Sequence, residues 1–178
     1  MVAAACAHPG TAGIFAYAGG AWHGAGPALP AAYAHEAVTV LRLTTVTGVT
    51  MALMATGSGR STHLLAARST DGGAHWALSP ALSLRGAGPT SASFGTGGTV
   101  AVTLPGNRAD TLTTVAGPWQ PLPALPSGTA TLAQAPTSGW DALAVHGATL
   151  TIWKLAPGAR AWTVAQTIKV PIVLGSSS

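Results

Sequence analysis

A short segment headed by tryptophan occurs four times along the chain, and this repetition constrains the fold more than any other feature. Three copies carry Pro-Ala-Leu four or five residues after the tryptophan, and the fourth is a looser copy that ends at Ile168. Successive tryptophans lie 54, 43 and 43 residues apart. A period of roughly 40 to 50 residues is typical of a repeated supersecondary unit such as a propeller blade. The four copies begin at Trp22, Trp76, Trp119 and Trp162.

Each of these tryptophans follows a tight-turn signal rich in Gly or Pro, such as Asp71-Gly72-Gly73. Such signals punctuate hairpins because they supply a positive or preset φ. Short apolar runs precede each turn and predict strands. The pattern predicts about four antiparallel strands per repeat, which is the blade of a β-propeller. The runs directly before the turns are 14–17, 64–67, 112–115 and 150–153, and those one strand earlier are 2–7, 51–56, 100–104 and 141–145.

The composition supports an all-β chain. Gly and Pro number 23 and 13 among 178 residues, which is too many for a helical bundle. Hydrophobic residues make up 48% and charged residues only 7%, against a usual charged fraction of about 25%. The chain is therefore expected to bury surface, and disorder driven by charge is excluded.

The repeats divide the chain into an incomplete first blade, three full blades and a tail. A closed propeller has four to eight blades, so two arrangements are open. The tail supplies the missing strand and closes a four-bladed ring, or the chain is half of a larger ring. We favour the half-propeller, completed by a second copy in a homodimer or by further blades. The predicted boundaries are 1–30, 31–82, 83–125, 126–170 and 171–178.

Charge and cysteine content exclude several classes of function. The net charge of +4 arises from 8 basic against 4 acidic residues, and the basic residues are scattered singly. No basic stripe exists to neutralise successive phosphates, so nucleic acid is not an expected partner. Cys6 is the one cysteine, so no internal disulfide forms. No complete signal peptide and no apolar run long enough to span a membrane is expected, and the compartment stays open.

The most specific string in the chain runs from Ser69 to Trp76 and reads Ser-Thr-Asp-Gly-Gly-Ala-His-Trp. It matches the pattern Ser-x-Asp-x-Gly-x-x-Trp at all four defining positions. The side chains of Ser69 and Asp71 can accept hydrogen bonds from N–H groups of the turn, and Gly73 can adopt a positive φ. Trp76 can fold over the hairpin. The motif is therefore interpreted as a structural device.

On this motif the chain resembles the Asp-box, or bacterial neuraminidase repeat, propellers. That superfamily includes sialidases, sortilin-type receptors and photosystem assembly factors, and its box lies away from the catalytic centre. The other three turns keep the tryptophan but lack Ser and Asp. Trp22, Trp119 and Trp162 are accordingly predicted to pack blades together.

A sialidase resemblance would imply three arginines that hold the substrate carboxylate, a tyrosine activated by glutamate, and an aspartate. The chain has two tyrosines and one glutamate, so Tyr33 and Glu36 are the only candidates for that pair, and no catalytic residue is predicted beyond them. The loop at 57–63 is an insertion relative to the other repeats, so Arg60 and His63 are candidates for a ligand-binding rim. The six histidines have no metal-ligand spacing, so neither a metal nor another cofactor is expected.

These features predict a non-catalytic propeller segment that serves as a recognition or scaffold module, with a glycan or a protein as its ligand. The alternative is a fragment or divergent member of a sialidase-like glycoside hydrolase.

Overall fold

The computed structural model describes residues 2–4, 12–57, 60–86, 88–137 and 139–170. Within these residues sixteen strands form four antiparallel sheets, and the helical segments are two short 3₁₀ turns. The first sheet is β1 (Val2–Ala4), β2 (Ile14–Ala18) and β3 (Ala21–Gly24). The second is β4 (Val38–Val46), β5 (Val49–Thr56), β6 (Ser61–Ser69), β7 (Ala77–Leu78) and β8 (Leu82–Arg85).

The third sheet consists of β9 (Ser91–Phe94), β10 (Val100–Leu104), β11 (Arg108–Leu112) and β12 (Gln120–Pro121). The fourth consists of β13 (Thr129–Gln134), β14 (Trp140–His146), β15 (Thr149–Leu155) and β16 (Thr163–Lys169). Strands consecutive along the chain pair in order within each sheet, apart from β8, which pairs with β6. This is the meander of a propeller blade. The prediction of an all-β propeller with about four blades is confirmed.

Two local predictions differ from the structure. The strand predicted at 112–115 lies earlier, as β11, because Gly106 and Asn107 have φ of 77° and 57° and form the hairpin turn. That turn pairs Leu104 with Arg108 and sets the register of the strand. The loop predicted at 57–63 is shorter, because β6 begins at Ser61 and β8 pairs alongside its first half.

Neighbouring sheets pack face to face through three clusters of buried apolar side chains. The first joins Ala12 and Ile14 to the second sheet, where Met54 and Leu65 are buried. The second joins the second and third sheets, and the third joins the third and fourth. The second and third sheets therefore bury their two faces against different neighbours, as expected for repeats that cannot bury an apolar face alone.

The tryptophan segments connect these sheets through hydrogen bonds. The indole Nε1 of Trp76 donates to the Ala25 carbonyl at 2.6 Å, and that of Trp119 donates to the Pro80 carbonyl at 2.9 Å. Trp162 Nε1 donates to the Pro123 carbonyl at 3.2 Å. Each acceptor lies three or four residues after the tryptophan of the preceding sheet. The repeated segment thus accepts a bond from the next sheet while its own tryptophan donates to the previous one.

The tryptophan of each segment faces the preceding sheet, whereas the leucine of the same segment packs at the interface with the following sheet. Leu29 packs in the cluster between the first and second sheets, Leu82 in the next, and Leu125 in the last. Trp22 differs from Trp76, Trp119 and Trp162 because the described residues contain no sheet before its own, and its side chain is 48% exposed. The predicted closure by the tail and the position of Cys6 fall outside the described residues.

Candidate functional site

A groove of about 980 Å³ lies along the first strands of the second, third and fourth sheets. These strands, β4, β9 and β13, are at the sheet edges opposite the tryptophan segments. The 3₁₀ turn at 96–98 and residues of β5 and β6 complete the wall. In a propeller this edge faces the centre of the ring, where ligands are commonly bound. We call this feature the central groove.

Two arginines supply the charge of the central groove. Arg42 is exposed on β4, and Arg68 is half-buried near the end of β6. No carboxylate lines the groove, and in the described part of the chain the one ion pair joins His75 to Asp71. Both guanidinium groups are therefore available to an anionic ligand, and the apolar floor strengthens that interaction by lowering the local dielectric.

Unsatisfied buried polar atoms concentrate in the same place. Three buried side-chain atoms of the described residues have no hydrogen-bond partner, and two of them, Arg68 Nε and Ser93 Oγ, belong to residues that line the groove. Such atoms cost free energy unless a ligand or water completes them. One donor from Arg68 and one hydroxyl from Ser93 are the groups that a bound carboxylate would satisfy.

The wall around these groups is closely packed. Gly98, with φ of +90°, brings its backbone against Arg68, since a Cβ there would lie 3.2 Å from Arg68 Cδ. Gln134 Oε1 accepts hydrogen bonds from Thr96 Oγ1 at 3.2 Å and from Thr99 Oγ1 at 2.7 Å. These bonds join the 3₁₀ turn to β13. The polar groups of the groove are thus held by backbone and side-chain contacts rather than lying on a free loop.

The sequence reasoning did not single out Arg42 or Arg68. A signal for both was present, because each is a lone cation in an otherwise apolar or Thr-rich strand. Arg42, Thr44 and Val46 alternate along β4 and point to one side of the sheet. Arg68 is half-buried, and a charged side chain that is half-buried without an ionic partner is unusual.

The Ser69–Trp76 turn forms a hydrogen-bonded unit outside the central groove. Ser69 Oγ donates to Asp71 Oδ1 at 2.8 Å and accepts from the Gly73 N–H at 2.9 Å. Asp71 Oδ1 also accepts from the His75 N–H at 2.9 Å, and Oδ2 lies 2.7 Å from His75 Nδ1. Trp76 Nε1 reaches the Gly73 carbonyl at 3.1 Å in addition to Ala25. The turn therefore links the second sheet to the first.

Hydrogen bonds from the His75 backbone N–H, the His75 ring and Ser69 hold the pKa of the Asp71 carboxyl well below its usual range. A carboxyl whose pKa is lowered on folding stabilises the fold above its unfolded pKa and loses that contribution as pH falls through the folded value. We therefore expect Asp71→Asn to lower the melting temperature at pH 7. The difference in melting temperature between Asp71→Asn and the wild type should narrow as the pH falls below the usual pKa range of a carboxyl group.

Asp110→Asn is the matched control for this measurement. Burial raises the pKa of Asp110, although the nearby Arg108 opposes the shift, so its ionised form does not stabilise the fold at neutral pH. Melting curves from pH 7 to pH 3 should show a melting temperature below that of the wild type for Asp71→Asn but not for Asp110→Asn. An equal deficit in the two variants would contradict the role of the Asp71 hydrogen bonds.

The remaining predicted residues lie away from the central groove. Tyr33 stacks near His63, with ring centroids 5.1 Å apart, and His63 Nδ1 is 3.0 Å from Ser83 Oγ. Glu36 Oε2 accepts a hydrogen bond from Thr56 Oγ1 at 2.7 Å. Among the described residues no hydrogen bond joins the Tyr33 phenol to Glu36. Arg60 lies in the turn before β6 and does not line the groove.

Acidic and metal-binding groups do not converge. Asp110 and Asp141 lie on strands of different sheets, β11 and β14, and Glu36 precedes β4. In the parts of the chain with described coordinates, no cluster of three or more His, Cys, Asp or Glu side chains could hold a metal ion. None of the helical segments there is long and apolar enough to cross a membrane.

Comparison with known proteins adds a similarity to solved structures. No protein-family model and no curated protein sequence matches the chain. Among solved structures, the chain is similar to "YCF48 bound to D1 peptide", with a TM-score of 0.44 and 11% sequence identity. The similarity covers 85% of this chain and 58% of that one, so the chain spans just over half the length of that structure.

Proposed function

We propose that this chain is a non-catalytic Asp-box β-propeller segment that recognises a carboxylate-bearing peptide in its central groove. The observation that carries this proposal is the presence in one groove of two arginines without ionic partners, Arg42 and Arg68, and of an unsatisfied hydroxyl on Ser93. An anionic group of a ligand would pair with the arginines. The hydrogen-bonded turn from Ser69 to Trp76 supports the assignment to the Asp-box group.

The lining favours a peptide over a glycan. Val49, Met51, Phe94 and Leu132 give the groove an apolar floor, which suits the side chains of an extended peptide. A sugar needs many hydrogen-bonding groups and aromatic platforms, and Phe94 is the one aromatic residue of the lining. The volume is at the upper end of the range of about 300–1,000 Å³ for ligand pockets, and an extended peptide segment would occupy it.

Binding of a designed peptide pair tests the proposal. The probe is an N-acetylated peptide that alternates leucine and glutamate, and its control carries glutamine at each glutamate. Isothermal titration calorimetry should show binding of the glutamate peptide and at least about tenfold weaker binding of the glutamine peptide, because a charge-assisted hydrogen bond contributes about 1.5–3 kcal/mol. Equal affinities would contradict the proposal. Sialyllactose in a parallel titration distinguishes a glycan ligand.

Arg68→Gln is expected to reduce affinity for the glutamate peptide by about tenfold or more, since it removes the half-buried charge. Arg85→Gln is the matched control, because Arg85 is exposed on β8 and does not line the groove. The loss for Arg68→Gln should shrink as salt concentration rises. A similar loss in both variants would indicate a non-specific effect of net charge.

A sialidase-like hydrolase is the alternative. Two arginines in the groove would also suit a sialoside carboxylate, but the Tyr33 and Glu36 pair lies elsewhere. Incubation with a fluorogenic sialoside is expected to give no turnover. Turnover that is abolished by Tyr33→Phe or Glu36→Gln would instead support the hydrolase.

A further inference from the structure

The two ends of the sheet array carry the two halves of one repeated interface. Within the chain, each interface combines a tryptophan from the following sheet with the leucine of the preceding sheet's segment. Among the described residues no sheet precedes the first sheet, so Trp22 has no such partner there. Ile168 of the fourth sheet stands where the other segments have leucine, and no later sheet lies within the described residues. Trp22 is 48% exposed and Ile168 is 38% exposed.

The leading face is the side of the first sheet that carries Phe15, Tyr17 and Trp22. Tyr17 pairs with Trp22 across β2 and β3, and Phe15 lies two residues before Tyr17 on the same side. The two aromatic rings have centroids 5.3 Å apart. Ile14 points to the other side, into the cluster shared with the second sheet. No other sheet in the described part of the chain packs on the aromatic side of this sheet.

The trailing face is the side of the fourth sheet that carries aliphatic residues from β14, β15 and β16. The cross-strand register aligns Leu143 with Ile152, and Val145 with Leu150 and Ile168. The opposite side of the same sheet, with Trp140 and Ala142, packs against the third sheet. The aliphatic members of the trailing face are Leu143, Val145, Leu150, Ile152 and Ile168, and the same register places Gln166 beside Ile152, and Asp141 opposite Lys154, on this side.

We propose that a second copy of this chain covers both faces, so that the leading face of each copy packs on the trailing face of the other. This contact would continue the interface already present in the chain, since a tryptophan packs near the leucine of the preceding segment at each of the three junctions between described sheets. Terminal repeats of arrays that stay monomeric have polar outer faces, whereas Tyr17, Trp22, Val145 and Ile168 are exposed large hydrophobic residues on these two faces. Exposed apolar residues that cluster on one face mark an interaction site.

The arrangement closes into a ring. Head-to-tail interfaces form rings when the rotation closes and open filaments when it does not. Two copies of four sheets make eight blades, which is within the range of closed propellers. In that ring the first strands of the second copy would complete the wall of the central groove. The inference does not depend on which ligand the groove binds.

The mass of the purified chain in solution tests the proposal. Size-exclusion chromatography with light scattering at micromolar concentration should give about 35 kDa, twice the chain mass of 17.5 kDa. Trp22→Glu and Ile168→Glu should each weaken the dimer at least about 30-fold, because a buried central tryptophan or aliphatic anchor is an energetic hot spot. Leu41→Glu, which changes an exposed residue on neither face, should leave the mass unchanged.

Mixing the two variants distinguishes the front-to-back arrangement from others. Trp22→Glu keeps an intact trailing face and Ile168→Glu keeps an intact leading face, so the mixture should form a 1:1 complex that neither variant forms alone. Circular dichroism melting curves check that each variant is folded. A monomeric wild type, a dimer insensitive to both substitutions, or an open-ended polymer would overturn the proposal. Failure of the mixture to associate would do so as well, because it would indicate a face paired with itself.

Discussion

Replacing Trp76 with alanine is expected to lower the free energy of unfolding by about 3 kcal/mol. The substitution removes packing from the cluster between the first and second sheets. It also removes the donor that bonds to the Ala25 carbonyl at 2.6 Å and to the Gly73 carbonyl at 3.1 Å. Since Trp76 joins two sheets, the loss should affect the cooperativity of the array as well as the local turn.

Trp76→Phe separates the two contributions. Phenylalanine keeps most of the ring packing but has no N–H group, so we expect a smaller loss of about 1–2 kcal/mol from the missing hydrogen bonds. Urea denaturation followed by circular dichroism gives both values. If alanine and phenylalanine destabilise the chain equally, the hydrogen bond to the first sheet, rather than the packing, carries the connection. If neither variant loses stability, the indole does not hold the two sheets together.

The second large effect is expected at Gly73 in the same turn. Its φ is +98°, and a Cβ there would lie 2.8 Å from Ala25 Cβ and 2.9 Å from the Ala25 carbonyl oxygen. Gly73→Ala therefore forces the turn away from the first sheet. We expect a loss of about 3 kcal/mol in the free energy of unfolding, from the conformational cost of about 1–2 kcal/mol together with about 1–3 kcal/mol for steric displacement.

The neighbouring Gly72 is the matched control. It also has a positive φ, +73°, but a Cβ there meets nothing within 4 Å. Gly72→Ala should therefore show the conformational cost alone, about 1–2 kcal/mol. Urea denaturation of both variants measures the difference, which reports how closely the turn approaches Ala25. Equal losses at the two glycines would mean that this close approach does not contribute.

Both effects arise because the turn of one sheet is built against the backbone of another. Ser69 and Asp71 hold the shape of the turn through local hydrogen bonds. Gly73 and Trp76 then use that shape to reach Ala25, 51 residues before the tryptophan. The other two junctions keep the tryptophan bond without Ser or Asp. Packing between sheets is therefore the common requirement, and the polar turn is an addition at one junction.

Local chemistry in the sequence was sufficient to predict the class of fold. Turn signals and short apolar runs each involve only a few neighbouring residues, so they can be recognised in the sequence. The spacing of the tryptophans gives the length of the repeated unit. β10 was predicted at the residues where it lies, Val100–Leu104. The strand predicted at 112–115 was displaced because the turn at Gly106 and Asn107, rather than the hydrophobic run, sets where β11 begins.

Only the tertiary structure brought the central groove together. Arg42 and Arg68 are 26 positions apart in the sequence and lie on β4 and β6 of one sheet, and Ser93 comes from the next sheet. Whether a lone arginine meets a carboxylate or remains unpaired depends on how the sheets stack, which no local pattern encodes. The sequence by itself determined the repeated unit, because hairpins and their turns are short-range. The stacking of the sheets set which side chains meet at the inner edge and which faces stay uncovered, because these depend on contacts between residues that are distant in the sequence.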